Sequence, residues 1–148
     1  MAKIHYSVTT DLPPATVIAA LTDFGPQRAA RWPDLDASAF EVLELGEDHA
    51  LVREGTERYG IWVVERYEWK TPGVIRAVCQ DSNVVLPGGL WQTTVSDRPG
   101  GGSRLDVIMD RRPKGVRGRG LHALLQVAGP VILGRSLRGM LKKVGRPA

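Results

Sequence analysis

The feature that most constrains the fold is a change of hydrophobic period near Pro113. From Ala39 to Met109, apolar residues tend to recur at every second position, which is the period of a half-buried β-strand. After Pro113 the period becomes 3.6, which is typical of an amphipathic α-helix. The chain therefore predicts a sheet that is followed by one long helix.

Turn signals divide the period-two region into hairpins. Clusters of glycine, proline and acidic residues at Gly46–Asp48, Thr71–Gly73 and Pro99–Gly102 favour tight connections. Since hairpins join antiparallel strands, the region predicts an antiparallel sheet. With an alternating segment at the N-terminus, we expect seven strands, at Lys3–Thr10, Ala39–Leu45, Ala50–Thr56, Ile61–Trp69, Val74–Gln80, Leu90–Val95 and Leu105–Met109.

Two short helices are expected after the first strand. Pro13-Pro14 stops that strand, and Ala15–Leu21 has apolar residues at helical spacing. Gly25-Pro26 ends this helix, and Gln27–Arg31 forms the second. One long helix can cover one face of a single sheet. The sequence thus predicts a single α+β domain over residues 1–148, in which a curved sheet wraps around the C-terminal helix.

The C-terminal helix has one predicted apolar stripe and two irregularities. Gly129-Pro130 predicts a bend or a break, because proline lacks the N–H that the carbonyl of Gln126 would accept. Five glycines between Gly118 and Gly139 reduce the volume of the helix, which favours a gap between helix and sheet. The stripe expected to face the sheet comprises Leu121, Leu124, Leu125, Ala128, Ile132, Leu137, Met140, Leu141 and Val144.

Charge is distributed unevenly along the chain. Residues 1–110 contain ten Lys/Arg and sixteen Asp/Glu, whereas residues 111–148 contain ten Lys/Arg and no acid. The basic C-terminal segment is compatible with a solvated helix over an acidic sheet, with an anionic membrane surface, or with an anionic group of a ligand. Nucleic acid is not the expected partner, because no aromatic residue is interleaved with the basic run Arg111–Arg119 to stack on bases.

Candidate binding residues come from the parity of the strand Ile61–Trp69. One face carries Val63, Glu65, Tyr67 and Trp69, and aromatic rings with a polar tip suit an apolar pocket that orients its ligand. The alternative is an ordinary core strand. The full set of predicted ligand-binding residues is Trp32, Val63, Glu65, Tyr67, Trp69, Trp91, Val107, Leu121 and Leu125.

Several kinds of chemistry lack sequence support. The three histidines have no partners at metal-ligand spacing, so no metal site is predicted. The chain has no Gly-x-Ser-x-Gly elbow and no phosphate-binding loop, so no cofactor is expected and no catalytic residue is assigned. The lone Cys79 and an N-terminus without an apolar run predict a cytoplasmic protein.

The order of these elements resembles the helix-grip fold of the START and polyketide cyclase/dehydrase superfamily (SRPBCC), and most closely its small actinobacterial-type members. The resemblance covers essentially the whole chain and implies a cavity for a hydrophobic molecule between sheet and helix. The segments that carry it are Asp11–Pro14, Ala20–Asp23, Val64–Trp69 with Pro72-Gly73, Asp81–Asn83 and Arg111–Pro113.

Three functions are compatible with this interpretation. The favoured one is a carrier or sensor of a hydrophobic metabolite such as a lipid or polyketide. The second is a polyketide cyclase or dehydratase in which Glu65, Tyr67 and Arg76 orient or protonate a chain that is held in the cavity. The third is a protein- or membrane-interaction module that uses the basic helix.

Overall fold

The computed structural model describes residues 3–144. Most of these residues lie in seven β-strands and one long C-terminal helix. The strands are β1 (Ile4–Thr10), β2 (Glu41–Leu45), β3 (His49–Thr56), β4 (Ile61–Glu68), β5 (Val74–Ser82), β6 (Leu90–Asp97) and β7 (Ser103–Asp110). The helices are α1 (Pro14–Leu21), α2 (Gln27–Arg31) and α3 (Gly115–Val144), and a 3-10 turn covers Ala37–Ala39. The predicted element order is confirmed.

The strands form one antiparallel sheet in the order β1-β7-β6-β5-β4-β3-β2. Strands β2 to β7 are joined in sequence, each beside the next, as expected for consecutive hairpins. β1 instead pairs with β7, so that Ile4 lies opposite Met109. Register shifts occur where β2 pairs with β3, between Val42 and Glu44, and where β4 pairs with β5, between Val64 and Glu65. Such bulges bend a strand and increase its twist.

The core lies on the concave face of the sheet. Alternate residues of β1 and β7 point into it, and the helices α1 and α3 supply the opposing surface. The largest fully buried side chains include Leu105, Val107, Val17 and Met140. A second, smaller cluster forms around Phe24, with inward residues of β3.

Helix α3 packs against the concave face and makes more contacts with β1 than with any other strand. Its glycines allow this approach, because a Cβ on Gly118 would overlap the carbonyl of Val84, and one on Gly129 would lie 3.2 Å from the Ile4 side chain. These glycines therefore bring the helix against its neighbours, which contradicts the argument that they leave a gap. The helix also continues without a break past Pro130.

The predicted apolar stripe of α3 is only partly correct. Leu137, Met140 and Leu141 are buried as expected, but Leu124 and Ile132 are exposed. The N-terminal part of α3 therefore presents an apolar surface to solvent as well as to the sheet. Within residues 3–144, no helix is long and apolar enough to cross a lipid bilayer.

Candidate functional site

The inward side of β4 joins the apolar core to a charged region. Glu65 lies on this side and is 4% exposed, whereas Val63 and Tyr67 on the same face are only half-buried. The parity predicted for this strand thus places Glu65 inside the molecule. A buried carboxylate is costly unless a partner compensates its charge.

Arg111 compensates Glu65. Its Nη2 contacts the Glu65 Oε1, and its guanidinium lies 5.1 Å from the centre of the Trp91 ring. The Nε of Arg111 is buried and has no hydrogen-bond acceptor among residues 3–144. The pair therefore leaves one buried, charged N–H donor without an acceptor in the described residues, beside an aromatic face.

A second charged group surrounds Arg28, which is 4% exposed. Its Nε lies 3.3 Å from the Glu54 Oε2, and its Nη1 donates to the Leu21 carbonyl oxygen at 3.2 Å. The Tyr67 hydroxyl donates to the other Glu54 oxygen and accepts from the Arg28 Nη2 at 3.4 Å. Arg28 thus connects the end of α1 to strands β3 and β4.

Burial and charge set the protonation of these groups. Burial raises the pKa of Tyr67, and the Glu54 carboxylate raises it further, so the phenol remains neutral. Burial lowers the pKa of Arg28 and is the largest single effect, but the charges of Glu54 and Tyr67 and the hydrogen bonds with both together outweigh it, so the net shift is upward. Burial lowers the pKa of Arg111 to about 10, although Glu54 opposes the shift. Both arginines are therefore charged at neutral pH.

Aromatic rings close the end of the concave face near α2. Phe24 lies 4.9 Å from the Tyr67 ring and 5.8 Å from the Trp69 ring, measured between centroids. The Trp69 Nε1 donates to the Glu47 carbonyl oxygen at 3.1 Å. Trp32 packs on the core from α2, with its ring 5.9 Å from the Arg28 guanidinium.

The predicted binding residues occupy different depths of this region. Val107 is fully buried in the core, and Leu125 packs against it half-buried. Val63 and Leu121 are half-buried. Whether these nine residues bind a ligand stays a prediction. Three of them contact a buried arginine: Arg111 contacts Glu65 and Trp91, and Arg28 contacts Tyr67.

Sequence reasoning missed Arg28, Glu54 and Arg111. Two of them, Glu54 and Arg111, could have been found from the alternation of inward and outward residues along a strand, which also identified Glu65. Glu54 continues the inward series of Ala50 and Val52, and Arg111 follows the inward Met109 by two residues. A search for charged residues at inward positions would have found both. Arg28 gave no such signal, because its helix has only five residues.

Arg76, which the enzyme hypothesis expected at the ligand, does not face the core. Arg76 was expected to help orient a substrate, but it is exposed, whereas its neighbours Ile75 and Ala77 are buried. Cys79 is buried as well, and burial raises the pKa of its thiol. In residues 3–144, no group of three or more His, Cys, Asp or Glu side chains could hold a metal ion.

An open depression of about 500 Å³ lies outside the concave face, at the tip of the β3–β4 hairpin. Trp62 and Arg53 form part of its wall, with the guanidinium 4.7 Å from the indole centre. Thr56 also lines it, and its Oγ1 has no hydrogen-bond partner in the described part of the chain. This depression is the alternative location for a small molecule.

No protein-family model matches the chain. No curated protein matches it in sequence. Solved structures match closely in shape. The Zhui aromatase/cyclase from a Streptomyces species has a TM-score of 0.78 at 16% identity, over 98% of this chain and 94% of that one. A START superfamily protein from Mycobacterium smegmatis gives 0.66 at 12% identity, over 92% and 97%.

Norcoclaurine synthase from Thalictrum flavum, in complex with dopamine and hydroxybenzaldehyde, is also similar. Its TM-score is 0.68 at 9% identity, over 99% of this chain and 89% of that one. Identities this low show the fold alone. The helix-grip fold of the START and polyketide-cyclase superfamily, inferred from the order of elements, is therefore confirmed.

Proposed function

We propose that this chain binds a hydrophobic small molecule, of lipid or polyketide type, between the concave face of the sheet and α3, and that it acts as a carrier or sensor. The observation that carries the proposal is the Glu65–Arg111 pair, which is buried among half-exposed apolar side chains. A charged pair in such surroundings is expensive to build and often specifies function more than stability.

The pattern of burial supports this location. Inward residues of β7 are almost fully buried, whereas Val63 and Tyr67 of β4 are only partly buried. An apolar molecule that filled this region would remove their surface from water, at about 25 cal/mol for each Å².

The polar groups limit what the ligand can be. The unpartnered Nε of Arg111 offers a charged donor, and the Trp91 ring beside it offers a flat apolar surface. A molecule with a planar, apolar body and a carbonyl or phenol oxygen would use both. Dopamine and hydroxybenzaldehyde, which are in complex with norcoclaurine synthase, share this character.

The test is binding of Nile red, a neutral hydrophobic dye, measured by fluorescence titration. Trp91→Leu removes the flat surface on the concave face, and Trp62→Leu is its matched control on the opposite face of the sheet. We expect at least about a fivefold change in Kd for Trp91→Leu and none for Trp62→Leu, because only the first lies in the proposed site.

Circular dichroism of each variant checks that the fold is retained. Weaker binding in Trp62→Leu alone would place the dye in the open depression and overturn the proposal. Equal affinities in all three proteins would also overturn it. Native mass spectrometry of the protein from its own host would then identify any ligand that co-purifies.

A second candidate function is a cyclase or dehydratase that acts on a polyketide in the same space. The observation that favours it is the neutral Tyr67 phenol beside the Glu54 carboxylate, which together offer a proton donor and an acceptor. The test is incubation with a linear poly-β-keto thioester and detection of ring closure with loss of one water by mass spectrometry. Product formed equally by the parent and by Tyr67→Phe would contradict this role.

A further inference from the structure

The outward side of α3 carries a row of exposed apolar side chains, here called the outer row. Its members are Val116 (85% exposed), Leu124 (52%), Val127 (87%) and Val131 (61%). Their spacings of eight, three and four residues place them on one side of an α-helix. Gly120 and Ala123 lie on the same side and are also exposed. A continuous apolar surface of this kind usually contacts another molecule.

Arginines flank the part of the outer row from Leu124 to Val131. Between Arg119 and Arg135 the helix contains no Asp, Glu, Lys or Arg. Exposed arginines stand at both ends, with Arg117 and Arg119 before this segment and Arg135 and Arg138 after it. Since residues 111–148 contain no acid at all, the whole helix is a cationic element with an apolar centre.

We infer that the outer row docks onto the surface of an anionic lipid bilayer. A helix with an apolar face and cationic flanks lies in the plane of the membrane interface, with its aliphatic side chains among the upper acyl chains. The flanking arginines then reach the lipid phosphates, and each contributes to binding through the negative surface potential. The acidic part of the chain, residues 1–110, would be turned away from the membrane.

Charge argues against a second copy of this chain as the occupant. If two outer rows packed against each other, the arginines of one helix would face those of the other, whether the helices ran parallel or antiparallel. Like charges at such an interface are destabilising, and α3 has no carboxylate to offset them.

The composition of the outer row argues against a protein partner. Protein interfaces derive most of their affinity from Trp, Tyr and Arg anchors at the centre of the contact. The centre of the outer row has only Leu, Val, Ala and Gly. A plain aliphatic surface fits the acyl region of a bilayer, which needs no specific hydrogen bonds.

This inference does not depend on what fills the concave face, because the outer row lies on the other side of α3. If the dye did not bind at the concave face, the proposed membrane docking would be unaffected. If the protein did not bind vesicles, the proposed ligand binding would likewise be unaffected.

The experiment is cosedimentation with vesicles of phosphatidylcholine alone and of equimolar phosphatidylcholine and phosphatidylglycerol. The apolar test variant is Leu124→Gln/Val127→Gln, and its control is Leu43→Gln/Leu45→Gln, which changes exposed leucines on β2. The charge variant is Arg119→Gln/Arg135→Gln, with Arg58→Gln/Lys70→Gln as its control. All these positions are exposed, so circular dichroism should be unchanged.

We expect the parent to bind the mixed vesicles and not the neutral ones. Salt at about 0.5 M should weaken binding, because it screens the attraction between the arginines and the lipid phosphates. The apolar variant should lose about tenfold in partitioning. The charge variant should lose about fivefold for each arginine. Both controls should bind like the parent.

Three results would overturn the inference. One is absence of binding to the mixed vesicles, and another is an equal loss in test and control variants. The third is a dimer in light scattering that Leu124→Gln/Val127→Gln converts to a monomer, because it would make a second copy the occupant.

Discussion

The two halves of the concave face are filled in different ways. The apolar half, formed by β1, β6 and β7, contains most of the tightly buried residues and lies under the second part of α3. The polar half, formed by β3 and β4, contains Arg28, Glu54 and Glu65, together with half-exposed aromatic rings. The first half explains why the chain folds, and the second contains the groups that could recognise another molecule.

The comparison also shows how charge is accommodated inside the sheet. The polar half has two arginines and two carboxylates, so its net charge is zero. A hydrogen-bonded phenol joins one pair, while the Arg111 guanidinium keeps an unpartnered Nε. The Arg28–Glu54 pair is therefore hydrogen-bonded, whereas the Glu65–Arg111 pair leaves one buried N–H without an acceptor among residues 3–144.

The largest effect is expected in the apolar half. Leu105→Ala removes a side chain that is fully buried, and leaves a cavity that the packed core cannot close. We expect the free energy of unfolding to fall by about 4 kcal/mol in urea denaturation. Leu45→Ala, at an exposed position of β2, should change it by less than about 0.5 kcal/mol. A small loss for Leu105→Ala would mean that the core lies elsewhere.

A somewhat smaller effect is expected from the Arg28–Glu54 pair of the polar half. Arg28→Met leaves the Glu54 carboxylate without its buried partner, so unfolding should require about 3 kcal/mol less. The double variant Arg28→Met/Glu54→Gln removes both charges and should recover part of that loss. If the loss of stability in the double variant equals the sum of the losses in the two single variants, the two residues do not interact.

Removal of one hydroxyl should cost less again. Tyr67→Phe keeps the ring that packs on Phe24 but removes the hydrogen bond to Glu54. We expect about 1.5 kcal/mol of destabilisation, as is usual for a hydrogen bond to a charged group. Tyr59→Phe, at an exposed position, is the control. Equal stability of the two variants would show that the Glu54 contact is not formed in solution.

The smallest effect belongs to the outward face of the apolar half. The Ser7 hydroxyl, followed by the Arg104 guanidinium, lowers the pKa of Asp106. A carboxyl whose pKa is lower in the folded state stabilises the fold above its unfolded pKa of about 3.9 and loses this contribution as pH falls through the folded value.

We therefore expect Asp106→Asn to lower stability at pH 7 by under about 1 kcal/mol. The difference from the parent should disappear in urea titrations once the pH falls below the lowered pKa of Asp106, because the carboxyl itself is then protonated. Asp97→Asn, on the same hairpin, is the control. A difference that persists in acid would indicate a packing effect in place of an electrostatic one.

The fold could be predicted because period, turns and element order all agree along the chain. The strands were found to within a few residues, and Glu65 was placed on the inward side by parity. The site was harder, since Arg28, Glu54 and Arg111 come from three separate elements and only the fold brings them together. Period alone also cannot say which side of a helix faces the sheet when apolar residues surround it, and Leu124 was misplaced for this reason.

The pairing of β1 with β7 has a consequence for how the chain reaches its native state. Strands β2 to β7 can form as successive local hairpins, but Ser7 meets Asp106 across 99 residues of sequence. Ordering so long a loop is entropically costly, and topologies dominated by distant contacts fold slowly. On the ribosome, β1 emerges before the other strands yet must wait for β7 and α3 before its apolar side is covered. Until then it is an unpaired segment that other chains can reach, and the interval between its synthesis and its burial is the period in which this protein is most exposed to aggregation.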